Sequence, residues 1–277
     1  MDYGKLLGDS FEYTKDGLFR NLGTWVLLII LAILPAIPFI FVGILMIASL
    51  MSGTMPDMPT IIGGFAVALV LAIILGAFYM GYLVKIFRGE APLPAVSGFG
   101  KLFIDGIKYL IIGVIYFIPV LIILAVTAGA ALMAALPTLM AMPSEPDWDV
   151  LMPVLMPIIG GVILGIIVAV IVAIILWLFA IIGIVRFART GRIGEAFNFG
   201  AILATIGRIG WGTYILALII MGVLVTIVVL IIGLIPYIGI IIQLIVSPFI
   251  SIFSARYICL LYDSAGVEVP SEQVGPL

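Results

Sequence analysis

The 277-residue chain is 65% hydrophobic and only 9% charged, with a formal net charge of −2, no His and a single Cys. A soluble domain is about half apolar and a quarter charged, so the apolar excess belongs against lipid. So few basic residues exclude a nucleic-acid partner, and Cys259 without any His leaves neither a disulfide framework nor a Cys/His zinc site; the sequence implies no metal and no cofactor.

In chain order, "YGKLLGDSFEYT" (3–14) comes first. Its Tyr3, Leu6, Leu7 and Phe11 fall at i, i+3, i+4 and i+8, one face of a helix, and predict a short amphipathic helix at the membrane surface. Six apolar stretches follow: 24–50, 61–84, 109–135, 158–184, 211–232 and 237–258. Each is about 20 residues or longer, enough to cross a bilayer. The first is too long for a signal-peptide core and is expected to stay as an uncleaved span. Pro35 and Pro38 predict a kink in it, because each removes a backbone donor. Gly233 to Pro236 ("GLIP") predicts the turn between the last two spans. Five prolines between 136 and 157 predict a stiff, irregular loop there.

Just before the third span, "FGKLFIDGIKYL" (99–110) nearly repeats the opening stretch, with Phe99, Leu102, Phe103 and Ile107 as its apolar face. A weaker copy, "IGEAFNFGAILA" (193–204), precedes the fifth span. Gly4, Gly100 and Gly194 mark the three copies. The chain therefore reads as a single transmembrane domain, 1–277, made of three units, about 1–92, 93–190 and 191–266, with a short tail at 267–277. Each unit is an interfacial helix followed by a two-span hairpin. Two spans per unit give all three the same orientation, so the expected fold is an all-α integral membrane protein of three parallel repeats.

Charge sets the orientation. All twelve Lys and Arg fall in or beside 1–23, 85–108, 185–210 and 259–277, while the opposite loops, 51–60 and 136–157, hold only Asp57, Glu145, Asp147 and Asp149. Cytoplasmic loops retain Lys and Arg, so both termini are expected in the cytoplasm of a multi-pass protein of the cell membrane.

The stretch "GYLVKIFRGEAPLPAVSGFGKLFIDGIKYLIIGVIYFIP" (81–119) resembles the central part of the archaeal domain-of-unknown-function family 4013, DUF4013. "EAFNFGAILATIGRIGWGTYILAL" (195–218) resembles its later signature, an Ala-Phe pair before a Gly-Trp-x-x-Tyr span entry. The resemblance covers nearly the whole chain. It implies a polytopic membrane protein and no established activity.

The span interiors carry almost no ionisable side chain, whereas coupled transporters generally bury carboxylates, His or Lys. No protease, P-loop or paired-carboxylate motif is present, and the chain is expected not to be an enzyme. Gln243, the strongest polar group in a span, is expected to donate an interhelical hydrogen bond. Gly161 and Gly165, a G-x-x-x-G pair, suit close helix packing within the bundle or an oligomer contact. Nine of the twelve Met flank the two outer loops, which leaves packing, a partner contact and soft-metal binding open. The candidate site is a basic inner rim of Arg186, Arg189, Arg192, Arg208, Lys101 and Lys108, placed to meet anionic lipid head groups. The expected function is non-enzymatic: organising membrane lipids or supporting a membrane-protein partner or a homo-oligomer. The alternative is a passive channel or carrier for a lipidic or small apolar substrate.

Overall fold

The computed structural model describes residues 1–141 and 147–266, apart from the side chain of Val150. Its regular elements are all helical: α1 (Tyr3–Phe19), α2 (Leu22–Ile33), α3 (Ile37–Met51), α4 (Met58–Phe87), α5 (Phe99–Met140), α6 (Trp148–Thr190), α7 (Phe199–Ile209), α8 (Trp211–Gly233) and α9 (Gly239–Asp263). Short 3-10 turns fill Leu34–Ala36 and Ile193–Phe197. Six stretches are long and apolar enough to cross a membrane: Leu22–Met51, Met58–Phe87, Phe99–Met140, Leu151–Thr190, Trp211–Gly233 and Gly239–Asp263. This is a multi-pass membrane fold; five expected spans each lie within one of the six, and the last, 237–258, overlaps Gly239–Asp263 but starts two residues too early.

Both expected breaks are present. The turn around Pro35 separates α2 from α3, and α8 ends on Gly233 before α9 resumes at Gly239. Three expectations change. The surface helix at 99–110 is not a separate element, because α5 runs unbroken for 42 residues. Nothing between Lys108 and Ile112 breaks a helix, so it propagates into the span. At about 1.5 Å per residue α5 is about 63 Å long, roughly twice a hydrocarbon core of about 30 Å. Most of 136–157 is helical too. Pro137 lies in the last turn of α5, and Pro153 and Pro157 are the sixth and tenth residues of α6, inside the helix, which continues through them. The stretch with Met142, Pro143, Glu145 and Pro146 lies outside the described residues. Finally, 193–204 is not one helix. A 3-10 turn covers Ile193–Phe197, and α7 begins at Phe199 because the Asn198 side chain accepts from the Ala201 N–H, 3.2 Å away, and caps it. In this register α1, α5 and α7 all open on an aromatic and a glycine: Tyr3–Gly4, Phe99–Gly100 and Phe199–Gly200. The aliphatic three residues after each aromatic is buried: Leu6, Leu102 and Ile202.

The described residues divide into two compact units, 1–110 with 182–266, and 111–141 with 147–181. The smaller is a helical hairpin closed by small residues. A Cβ on Gly161 would lie 2.9 Å from that of Ala131, and one on Gly165 would lie 2.6 Å from Thr127 Cβ. The G-x-x-x-G pair therefore packs inside its own hairpin.

The larger unit has its core at the C-terminal ends of α4, α6 and α9. Tyr82, Ile86, Ile182, Phe187, Tyr257 and Tyr262 are all buried there, and Leu18, Leu102 and Ile202 close over them from α1, α5 and α7. Toward the other end of these helices the aliphatic side chains are mostly exposed, as a lipid-facing surface requires. α9 is the central strut, in contact with α1, α2, α4, α7 and α8. Pro248 sits inside it and disturbs the carbonyls one turn back. Both are satisfied: Ser247 Oγ donates to Leu244 O at 3.0 Å, and Trp25 Nε1 on α2 donates to Ile245 O at 2.9 Å. A membrane helix tolerates proline when neighbours cover the freed groups in this way.

α1 packs on α9 through Leu6, Ser10, Thr14 and Leu18, spaced every fourth residue. Ser10 and Thr14 are fully buried, and their hydroxyls donate to the carbonyls of Leu6 and Ser10 at 2.7 and 2.8 Å. Small, self-satisfied residues let the two helices approach. The expected membrane face of α1 is thus partly a protein face. Leu6 is buried, while Phe11 remains exposed on the adjoining flank.

Candidate functional site

The C-terminal ends of α4, α6 and α9 meet through arginines. Two backbones are joined reciprocally. Arg88 Nε donates to Ala188 O at 3.2 Å, and Arg189 Nε returns a bond to Phe87 O at 3.1 Å. Arg189 then reaches α9, where Nη2 donates to both carboxylate oxygens of Asp263, at 2.7 and 2.9 Å, and to Cys259 Sγ at 3.0 Å. The guanidinium lies against Gly89, where a Cβ would come within 2.8 Å of its central carbon. Gly89 also has a φ of +86°, so both backbone and space require glycine there.

Arg88 and Arg186 each grip a carboxylate further along the chain. Arg88 Nη2 is 2.6 Å from Asp105 Oδ2, and Asp105 is only 5% exposed. This pair forms because α4 and α5 cross almost backbone to backbone. A Cβ on Gly81 would lie 2.9 Å from Leu102 Cα, and one on Gly106 equally close to Ala77 Cα. Arg186 is ion-paired with Glu195 in the 3-10 turn before α7. The hydrogen bond from Arg186 holds the Glu195 carboxyl below the usual carboxylate range, against the opposing effect of burial.

The six residues of the expected rim therefore separate into two groups. Arg186 and Arg189 are engaged inside the protein. Arg192, Arg208 and Lys101 are exposed, Lys108 is half-buried, and among the described residues none of these four forms an ion pair, although Arg192 is near enough to Glu195 to help hold its carboxyl ionised. Apolar side chains stand beside the exposed cations: Phe99 and Ile104 on α5, Phe199 and Leu203 on α7, and Trp211 at the start of α8.

Sequence reasoning missed the acids that fix the arginines. Asp105, Glu195 and Asp263 lie 17, 9 and 74 residues from their partners. Only the carboxylate within an otherwise apolar helix start, Asp105, was a visible signal. Gln243 does not make the expected interhelical bond. It is exposed near the start of α9. Of the outer methionines, Met51, Met55, Met58, Met133, Met140 and Met156 are exposed, and Met142 lies outside the described residues.

The model of a family described as "Protein of unknown function (DUF4013)" matches residues 65–237. The chain belongs to that family. The matched stretch runs from within α4 to the turn before α9, so it is shorter than the near-complete coverage expected from the motifs. It holds Arg88, Asp105, Arg186, Arg189 and Glu195, and leaves α1, Arg256 and Asp263 outside the DUF4013 match. No curated protein and no solved structure matches the chain.

Proposed function

We propose that this DUF4013 protein is a non-enzymatic membrane module that organises anionic lipid, or supports a membrane partner, at a basic inner rim. The observation that carries the proposal is the set of cations that make no ion pair among the described residues, Lys101, Lys108, Arg192 and Arg208, of which only Arg192 lies within electrostatic reach of a carboxylate, Glu195. Juxtamembrane bases gain about 1 kcal/mol each near an anionic leaflet, and the exposed Phe99, Phe199 and Trp211 beside them suit the apolar part of the same interface. Arg186 and Arg189 shape the rim from within rather than meeting the head groups.

In this reading the membrane is the plasma membrane and both termini are cytoplasmic. The twelve Lys and Arg on one side and the acidic outer loops on the other support it. α1 suits an interfacial position, because Phe11 stays exposed beside the buried stripe while Lys5, Asp9 and Glu12 are exposed on the opposite side. The shared aromatic–glycine opening of α1, α5 and α7 supports descent from three repeats, with the copies starting 96 and then 100 residues apart. The returned bond between Arg88 and Arg189 has the form of a local twofold; a strict threefold would pass each contact on to the next helix.

The test is lipid retention by native mass spectrometry in matched detergent. Replacing Lys101, Arg192 and Arg208 together by Gln should lower retained phosphatidylglycerol and leave phosphatidylcholine unchanged. Equal retention by variant and wild type would remove the rim from the proposal. Orientation is checked with Thr54→Cys in a Cys259→Ala background, which should react with an impermeant thiol reagent on intact cells; reaction only after lysis overturns the topology.

A further inference from the structure

We propose that Arg256, stacked on the ring of Tyr13, is a seat for the phosphate of an inner-leaflet phospholipid. The proposal rests on the lipid-holding reading above and gives it a defined site. Four arginines stand at the C-terminal ends of α4, α6 and α9. Arg88, Arg186 and Arg189 each face a carboxylate, whereas Arg256 faces none among the described residues. Its guanidinium carbon lies 4.5 Å from the Tyr13 ring centroid, and its Nε is buried with no hydrogen-bond partner.

The platform under it is built from three elements. The Tyr13 hydroxyl donates to Glu90 O at 2.8 Å, which fixes the ring. The loop carrying Glu90 is held in turn by the Tyr82 hydroxyl on Pro94 O at 2.9 Å and by Lys85 Nζ on Ser97 O at 2.9 Å. Leu93 of the same loop packs against Gly17, where a Cβ would come within 2.7 Å of Leu93 Cδ2. Burial raises the pKa of the Tyr13 hydroxyl far above its usual value, so the ring stays neutral and attractive to a cation. A guanidinium centred over a ring face can turn its terminal Nη donors outward, and those two donors, rather than the buried Nε, match two phosphate oxygens at once.

Depth and neighbours fit a phospholipid rather than a free anion. Arg256 follows the start of α9 at Gly239 by 17 residues, or about 26 Å of helix, so it stands near the far boundary of a hydrocarbon core of about 30 Å. Ile245, Phe249 and Arg256 are spaced i, i+4 and i+11, which puts them on one face of α9. Phe249 meets Phe11 of α1 edge to face, with ring centroids 5.6 Å apart, and Phe11 and Ile245 are both exposed. A cation at the head-group level with an apolar lane below it is complementary to a phosphate and its acyl chain.

The test is titration of the purified full-length protein with dioleoyl phosphatidylglycerol, read by native mass spectrometry, with inorganic phosphate as competitor. Arg256→Gln should weaken binding about five- to tenfold, the scale of one lost charge-assisted contact. Arg256→Lys, which keeps the charge and the fold but not the flat fork, should weaken it by about two- to threefold. Tyr13→Phe, which keeps the ring but frees it from Glu90 O, should weaken binding less than Arg256→Gln does. Unchanged binding by Arg256→Gln overturns the seat, and so does full competition by millimolar phosphate, which marks a free-anion site. The Lys101/Arg192/Arg208→Gln variant separates the two readings. If it alone loses lipid, the seat fails and the rim stands. If Arg256→Gln alone loses lipid, the seat stands and the rim fails. If neither does, both fail.

Discussion

Gly106→Ala tests the crossing on which the arginine cluster depends. The added methyl would lie 2.5 Å from the carbonyl carbon of Ala77 and 2.9 Å from its Cα, where ordinary contact begins at 3.4 Å. The obstacle is backbone on α4, so no side chain can swing aside, and because the Ala77 carbonyl oxygen lies closer still than its carbon, the two helices must part by well over the roughly 1 Å that the carbon alone would demand. Overpacking of this kind costs about 1–3 kcal/mol. The neighbouring residue is Asp105, which sits 2.6 Å from Arg88 and is nearly buried. Breaking such a pair outright costs about 3–5 kcal/mol, so loosening it as well brings the expected loss to about 3 kcal/mol or more. The assay is unfolding of the detergent-solubilised protein by increasing sodium dodecyl sulfate, followed by circular dichroism. Gly100→Ala is the control on the same helix: its Cβ meets nothing within 4 Å, so it should be neutral or gain up to about 1 kcal/mol. Asp105→Asn should add less to Gly106→Ala than to wild type, because both act on one contact. If Gly106→Ala and Gly100→Ala unfold at the same midpoint, the crossing does not constrain the fold as argued.

Trp25→Phe keeps the apolar ring but removes the donor to Ile245 O beside Pro248; a carbonyl that loses its cover in a span should cost about 1–3 kcal/mol in the same unfolding assay, and no loss would show that this carbonyl needs no cover. Glu195 has a depressed folded-state pKa because Arg186 donates to it, so its contribution is fully present above the unfolded value of about 4.3 and is lost as pH falls through the folded one. Wild type should therefore exceed Glu195→Gln in stability at neutral pH, with the gap closing in acid below about pH 4; a gap independent of pH removes the ion pair as its cause.

The six spans, the kink at Pro35 and the turn after Gly233 were legible in the sequence because they depend on local properties. Hydropathy sums along the chain, and proline and glycine act on their own backbone. The family resemblance was legible for the same reason, in runs of Gly, Pro and aromatic residues that kept their order. Tertiary structure decided how the inner-side charges are used. Whether an arginine meets lipid or a carboxylate depends on which helices approach closely, and that is set by pairs such as Gly81 with Leu102 and Gly106 with Ala77, far apart in the sequence. Arg186 and Arg192 look equivalent as letters six residues apart, yet one is ion-paired with Glu195 and the other is exposed. The start of α7 was also a tertiary matter: glycine spacing favoured Gly194, but the Asn198 cap and the burial of Ile202 and Ile206 set the helix at Phe199. Burial of one particular face cannot be read from periodicity alone, because a helix turned toward protein and one turned toward lipid present the same apolar repeat.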